Sequence, residues 1–83
     1  MDLDKEFKKL NFALQSYSCQ YHADYEEDSN LGQVKFLLLD SGELAILEWT
    51  ALYGNEFENE LAKFKTTAIQ TCSHSVVKKE KAH

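Results

Sequence analysis

Hydrophobic side chains recur three or four residues apart at the start of the chain, at Leu3, Phe7, Leu10 and Leu14. That spacing draws one apolar stripe along a helix over residues 2–14. Asp2 stands where it can cap the first turn, Asp4 and Glu6 follow, and Lys8 and Lys9 come later. Acids before bases suit a helix whose N-terminus carries partial positive charge.

The period then changes. Tyr17, Cys19, Tyr21, Ala23 and Tyr25 alternate with Ser18, Gln20, His22 and Asp24, which is strand periodicity. Glu26 to Gly32 reads as a turn or loop by composition. Val34 to Leu39 and Leu44 to Trp49 flank Asp-Ser-Gly-Glu, the strongest hairpin signal in the chain. A two-residue loop at Ser41 and Gly42 sets Lys35 opposite Glu48 and Val34 opposite Trp49. One face is then apolar throughout, with Val34, Phe36, Leu38, Ala45, Leu47 and Trp49. The other carries Leu37, Leu39, Leu44 and Ile46 near the turn. A three-residue loop with a Gly42 bulge would set Lys35 against Leu47 and Val34 against Glu48, a poorer match. A helix over 42–53, capped by Ser41 and ended by Gly54, is the rival reading. The strand is preferred because Phe36 to Leu39 needs a close partner.

From Asn55 the helical period returns. Asn55 is the expected cap, and Glu58 three residues on completes a capping-box-like pair. Phe57, Leu61, Phe64, Ala68 and Cys72 mark the buried stripe. Thr66, Thr67 and Thr71 weaken the later turns, so the helix is expected to end within 70–77 and residues 76–83 to form a flexible basic tail. The pattern therefore predicts an α+β fold over residues 1–75: helix, three-stranded antiparallel meander, helix (αβββα). Both helices lie on one sheet face, where Val34, Phe36, Leu38, Leu47 and Trp49 should meet Leu10, Leu14, Leu61 and Phe64. Leu37, Leu39, Leu44 and Ile46 are left uncovered on the other face, and apolar patches of that kind tend to be binding surfaces.

Composition narrows the chemistry. With 43% hydrophobic residues in 83, and with Trp, Tyr and Phe all present, the chain is not of disordered type. No apolar run approaches membrane-spanning length, and the N-terminal MDLDKEFKKL is too charged for a signal peptide. Two cysteines, Cys19 and Cys72, do not make a disulfide framework, so a reduced cytoplasmic setting is the expectation. Every basic residue is lysine; without arginine there is no bidentate fork for phosphate or base edges. Residues 1–62 hold thirteen acids and four lysines, and residues 63–83 hold five lysines and Glu80. The first part of the chain repels nucleic acid and attracts basic surfaces.

Motifs for catalysis and metals are weak. Cys19-x2-His22 with Cys72-x-His74 is formally a Cys2His2 set, but the second pair is too tightly spaced for a zinc knuckle, and Cys19 and His22 would point to opposite faces of a strand. Asp24, Glu26, Asp28 and Asn30 alternate as calcium ligands do, yet Ser29 and Lys35 stand where the loop needs glycine and glutamate. No glycine adjoins a cysteine to build an oxyanion hole. The expectation is a protein that is not an enzyme and carries no metal or cofactor.

The run Asp24, Glu26, Glu27 and Asp28, interleaved with Tyr21 and Tyr25, is the best candidate for binding. Its plainer reading is a solvated loop that keeps an edge strand from aggregating. Tyrosines suit an interface, and the wider acidic region adds Asp40, Glu43, Glu56, Glu58 and Glu60. The expected partner-binding residues are Tyr21, Asp24, Tyr25, Glu26, Glu27 and Asp28, with Glu56, Glu58 and Glu60 secondary. The expected function is a small protein-binding module that docks on a basic protein, in its sharpest form an inhibitor occupying a nucleic-acid groove. In size, acidity and build the chain resembles small phage-encoded inhibitors of host nucleases, though no motif is shared with them. The alternative is an accessory subunit or homodimer formed through Leu37, Leu39, Leu44 and Ile46. Neither reading involves a membrane or direct contact with nucleic acid. Lys78, Lys79 and Lys81 read as a solubilising terminus rather than a basic arm.

Overall fold

The computed structural model describes residues 2–81, with side chains as far as residue 73. Helix α1 (Leu3–Ser16) is followed by strands β1 (His22–Asp28), β2 (Gln33–Leu39) and β3 (Ala45–Leu52) and by helix α2 (Phe57–Lys81). The strands form one antiparallel sheet in the order β1-β2-β3. The αβββα arrangement is the expected one, and residues 42–53 contribute a strand, not the rival helix.

Both helices pack on the same sheet face. Leu3, Phe7, Leu10 and Leu14 of α1, and Phe57, Leu61, Phe64, Ala68 and Cys72 of α2, are all buried there, against Ala23, Val34, Phe36, Leu38 and Ala51 of the sheet. At its centre the rings of Phe7, Phe36 and Phe64 meet pairwise, with centroids 5.3 to 6.0 Å apart, a separation at which tilted and offset aromatic pairs attract. Leu47 and Trp49 reach the same core from β3.

Helix ends follow local chemistry. The Asp2 carboxylate accepts the Lys5 backbone N–H at 3.3 Å, as a cap should. At α2 the cap sits one residue later than expected. Glu56, not Asn55, stands before the first turn; its carbonyl accepts the Glu60 N–H at 2.9 Å and its carboxylate accepts Asn59 Nδ2 at 3.1 Å. The far end of α2 also departs from expectation, running to Lys81 instead of stopping within 70–77. The hydroxyls of Thr66, Thr67 and Thr71 donate to carbonyls four residues back, so these threonines are satisfied inside the helix. His74, the lysines at 78, 79 and 81, and the side chains of the expected tail lie outside the described side chains.

Residues 17–21 do not extend β1, although they alternate like a strand. The N–H groups of Tyr17, Ser18 and Cys19 donate to Leu14 and Gln15 carbonyls in the last turn of α1, and Ser18 takes a positive φ of 56°. This winding closes the helix and carries Cys19 to α2, where it forms a disulfide with Cys72; their Cα atoms are 5.5 Å apart. Two free thiols were expected, but the turn and the inward stripe of α2 bring them together from 53 residues apart.

The β2–β3 register contains two irregularities that compensate. The loop holds three residues, with Glu43 in the left-handed region at φ 62° where glycine is usual. Asp40 stabilises it, its carboxylate accepting the Gly42 and Leu44 N–H groups at 2.9 Å each. A bulge then falls between Leu38 and Leu39, leaving Ile46 without an opposite residue. Lys35 therefore faces Thr50, not Glu48, and Val34 faces Ala51, not Trp49. The combined shift is two residues from the expected register, so Val34, Phe36, Leu38, Leu47 and Trp49 keep their inward side. Ala45 lies before the bulge, faces Leu39 and is exposed, which removes it from the expected apolar face.

Candidate docking surface on the open sheet face

Cross-strand pairing fixes which side chains share the uncovered face, because residues directly opposite one another point the same way. The rows across the sheet are His22–Leu39–Ala45, Asp24–Leu37–Glu48, Glu26–Lys35–Thr50 and Asp28–Gln33–Leu52. Four carboxylates and one lysine thus surround a leucine centre. Leu37 is only 7% exposed although no helix lies over it, and it stands outside the main core cluster. Ile46 (45% exposed) at the bulge and Leu52 (64%) stay open to solvent. Leu44 (67%) was expected on this face but sits in the hairpin loop opposite Asp40, one position past the Leu39–Ala45 row and so out of phase with it.

The acidic run is part of a strand, not the loop expected over 26–32; the turn is confined to residues 29–32. Its members consequently alternate between faces. Asp24, Glu26 and Asp28 line the open side. Tyr25 and Glu27 point to the helix side, where the Tyr25 hydroxyl donates to Asp4 Oδ1 at 2.6 Å and its ring packs 5.0 Å from that of Phe7. Tyr21, just before β1, is half-buried against the core. Glu58 and Glu60 belong to the first turn of α2, and Glu56 stands just before it, all on the helix side. Glu60 accepts the Trp49 indole N–H at 2.7 Å and lies 3.8 Å from Lys63. The expected residues are therefore divided: three carboxylates share the open face, and the others lie with the helices.

Two oxygens on the open side are already engaged. Asp24 Oδ1 accepts the Tyr25 N–H at 2.8 Å, and Asp28 Oδ1 accepts the Asn30 and Leu31 N–H groups of the turn. These bonds hold the carboxylates in place and leave a second oxygen on each. No side-chain hydrogen bond holds Glu26 among the described residues.

On the helix side, Asp2, Asp4, Glu27, Tyr25, Tyr53 and Phe57 line an open cleft of about 590 Å³. The hydrogen bond to Asp4, then burial, pushes the Tyr25 phenol up to about 12. Burial, then the Glu27 carboxylate, raises that of Tyr53. The Lys65 ammonium, hydrogen-bonded to Glu6 across the two helices, holds the Glu6 carboxyl below its ordinary range.

The cysteines of the formal Cys2His2 set are bonded to each other, so neither offers a thiolate. Among the described residues no three His, Cys, Asp or Glu side chains gather as a metal site. Sequence reasoning missed Leu52, which lies beyond the expected strand end at Trp49; its signal was a period-2 continuation through Ala51. No protein-family model matches the chain, and neither a curated protein nor a solved structure matches it significantly.

Proposed function

We propose that the protein is a non-catalytic binding module whose open sheet face docks on a basic protein. The supporting observation is the line of Asp24, Glu26 and Asp28 along the outer side of an edge strand. Carboxylates at alternate residues of a strand recur every ~6.7 Å, a spacing of the same order as that of neighbouring phosphates along one nucleic-acid strand. The sharpest form of the proposal follows from this match: the strand occupies a basic groove that otherwise holds nucleic acid, and the protein acts as its inhibitor. Half-buried Leu39 on β2 and exposed Leu52 on β3 share this face and supply apolar area for close contact.

The test compares capture from source-cell lysate by the natural protein and by the Asp24→Asn/Glu26→Gln/Asp28→Asn variant. A basic protein retained by the first at low salt, released by added salt and lost with the second is the expected result. Equal capture by both would refute the proposal.

Cytoplasmic location belongs to the same proposal and meets one opposing observation, the Cys19–Cys72 bridge, since disulfides are rare in reducing compartments. Thiol-blocking extraction from cells decides it: two blockable thiols place the protein in the cytoplasm, and none places it in an oxidising compartment. No helix of the described residues is long and apolar enough to cross a membrane.

A further inference from the structure

The sheet has two edge strands, and side chains close one of them. At β1, Asn11 of α1 reaches the backbone of Ala23 with both ends of its amide: Nδ2 donates to the Ala23 carbonyl at 2.9 Å, and Oδ1 accepts the Ala23 N–H at 2.7 Å. Asn11 thus stands where a neighbouring strand would bond. The next outward N–H, that of Tyr25, is taken by Asp24 Oδ1. The carboxylates of Asp24, Glu26, Glu27 and Asp28 add like-charge repulsion against a second β1.

No comparable closure protects β3. Alternate residues of an edge strand turn their N–H and C=O groups outward. Since Ala23 and Tyr25 face outward on β1, the antiparallel register assigns the outward positions of β3 to Glu48, Thr50 and Leu52. None of their backbone groups is bonded by a side chain among the described residues. Glu48 carries the one charge of the strand, and exposed apolar side chains flank it at Leu44, Ile46, Leu52 and Tyr53. The bulge at Ile46 leaves Leu47 to Leu52 regular.

We propose that the β3 edge pairs with the β3 edge of a second copy, joining two three-stranded sheets into one antiparallel sheet. A two-fold axis through Thr50 suits the sequence best. It sets Thr50 against Thr50, Trp49 against Ala51, and Glu48 against Leu52, so the two glutamates never meet. Thr–Thr is a favourable cross-strand pair. Because β1 is closed, the assembly stops at two copies and does not grow into a fibre. Face-to-face stacking of the open faces, the other way to make a dimer, would bring Asp24, Glu26, Asp28 and Glu48 of both copies together with only Lys35 to offset them. The charge on that face turns a second copy away and leaves it to a cationic partner.

Sedimentation equilibrium over a dilution series tests the edge pairing. The natural protein should approach twice its 9.6 kDa mass at high concentration and dissociate on dilution. Thr50→Pro removes an outward N–H without breaking the β2 ladder, and Thr50→Asp opposes two carboxylates at the axis. Both should sediment as monomers, whereas Thr50→Val should still dimerise. Thermal melts report whether each variant folds; Thr50 is exposed, so Thr50→Asp remains decisive even if the proline variant unfolds. A natural protein that stays monomeric at its highest attainable concentration overturns the proposal, as does a folded Thr50→Asp variant that dimerises like the original. Added salt should leave this association intact while weakening capture of a basic protein, so the two readings fail separately.

Discussion

The covered and open faces of this sheet are built from the same three strands, yet they hold opposite chemistry. On the covered side Ala23, Val34, Phe36, Leu38 and Ala51 are buried, whereas on the open side Asp24, Glu26, Glu48, Thr50 and Leu52 are exposed. The alternation of a strand lets one residue serve stability while the next serves recognition. Changes on one side should therefore leave the other nearly untouched.

The largest effect should come from the covered side. Phe64→Ala removes a ring fully enclosed by Phe7 and Phe36, and a loss of about 3–5 kcal/mol in denaturant unfolding is expected. Next comes the bridge. Replacing Cys19 and Cys72 by serine opens a link across 53 residues, with an expected loss of about 2–4 kcal/mol; the natural protein under reductant should match the variant. A smaller effect concerns Tyr25. Its phenol is held up near 12 instead of 10.0, so the folded form keeps a proton that the unfolded chain releases. Its contribution is complete below pH 10 and is lost as pH rises toward 12. Tyr25→Phe should abolish that alkaline component, and Asp4→Asn should bring the phenol's absorbance titration back toward its ordinary midpoint. Smallest of all, Asp24→Asn/Glu26→Gln/Asp28→Asn should alter unfolding free energy by only about 0.5 kcal/mol per site, even as it abolishes salt-sensitive capture. A stability loss as large as that of Phe64→Ala would erase the contrast between the faces.

The fold was legible wherever hydrophobic spacing carried it. The stripes of both helices, from Leu3 to Leu14 and from Phe57 to Cys72, are buried as their periods require. The strand faces were legible as well, except at Ala45 and Leu44 beside the turn, but their register was not. Ser41-Gly42 looks like a two-residue loop, and nothing local indicates that Glu43 accepts a left-handed conformation or that Ile46 is left unpaired. Such choices are settled by the core, which needs Leu47 opposite Leu38. The candidate site was half legible. The acidic run was visible, but composition suggested a loop, and a loop hides the alternation that sends Tyr25 and Glu27 to the far side. Asn11, polar within an amphipathic helix, gave no sign that it would bracket Ala23. The disulfide was hidden because residues 17–21 mimic a strand while acting as the end of a helix.

The unpaired Ile46 has a consequence for length variation. Losing a residue inside a strand ordinarily inverts everything downstream, so that core side chains swing into water and polar ones inward. Excising Ile46 would instead leave Leu39 against Ala45 and Leu38 against Leu47, as they already are. This hairpin thus carries one codon's worth of slack, a place where a deletion can pass through the middle of a sheet and leave its phase unchanged.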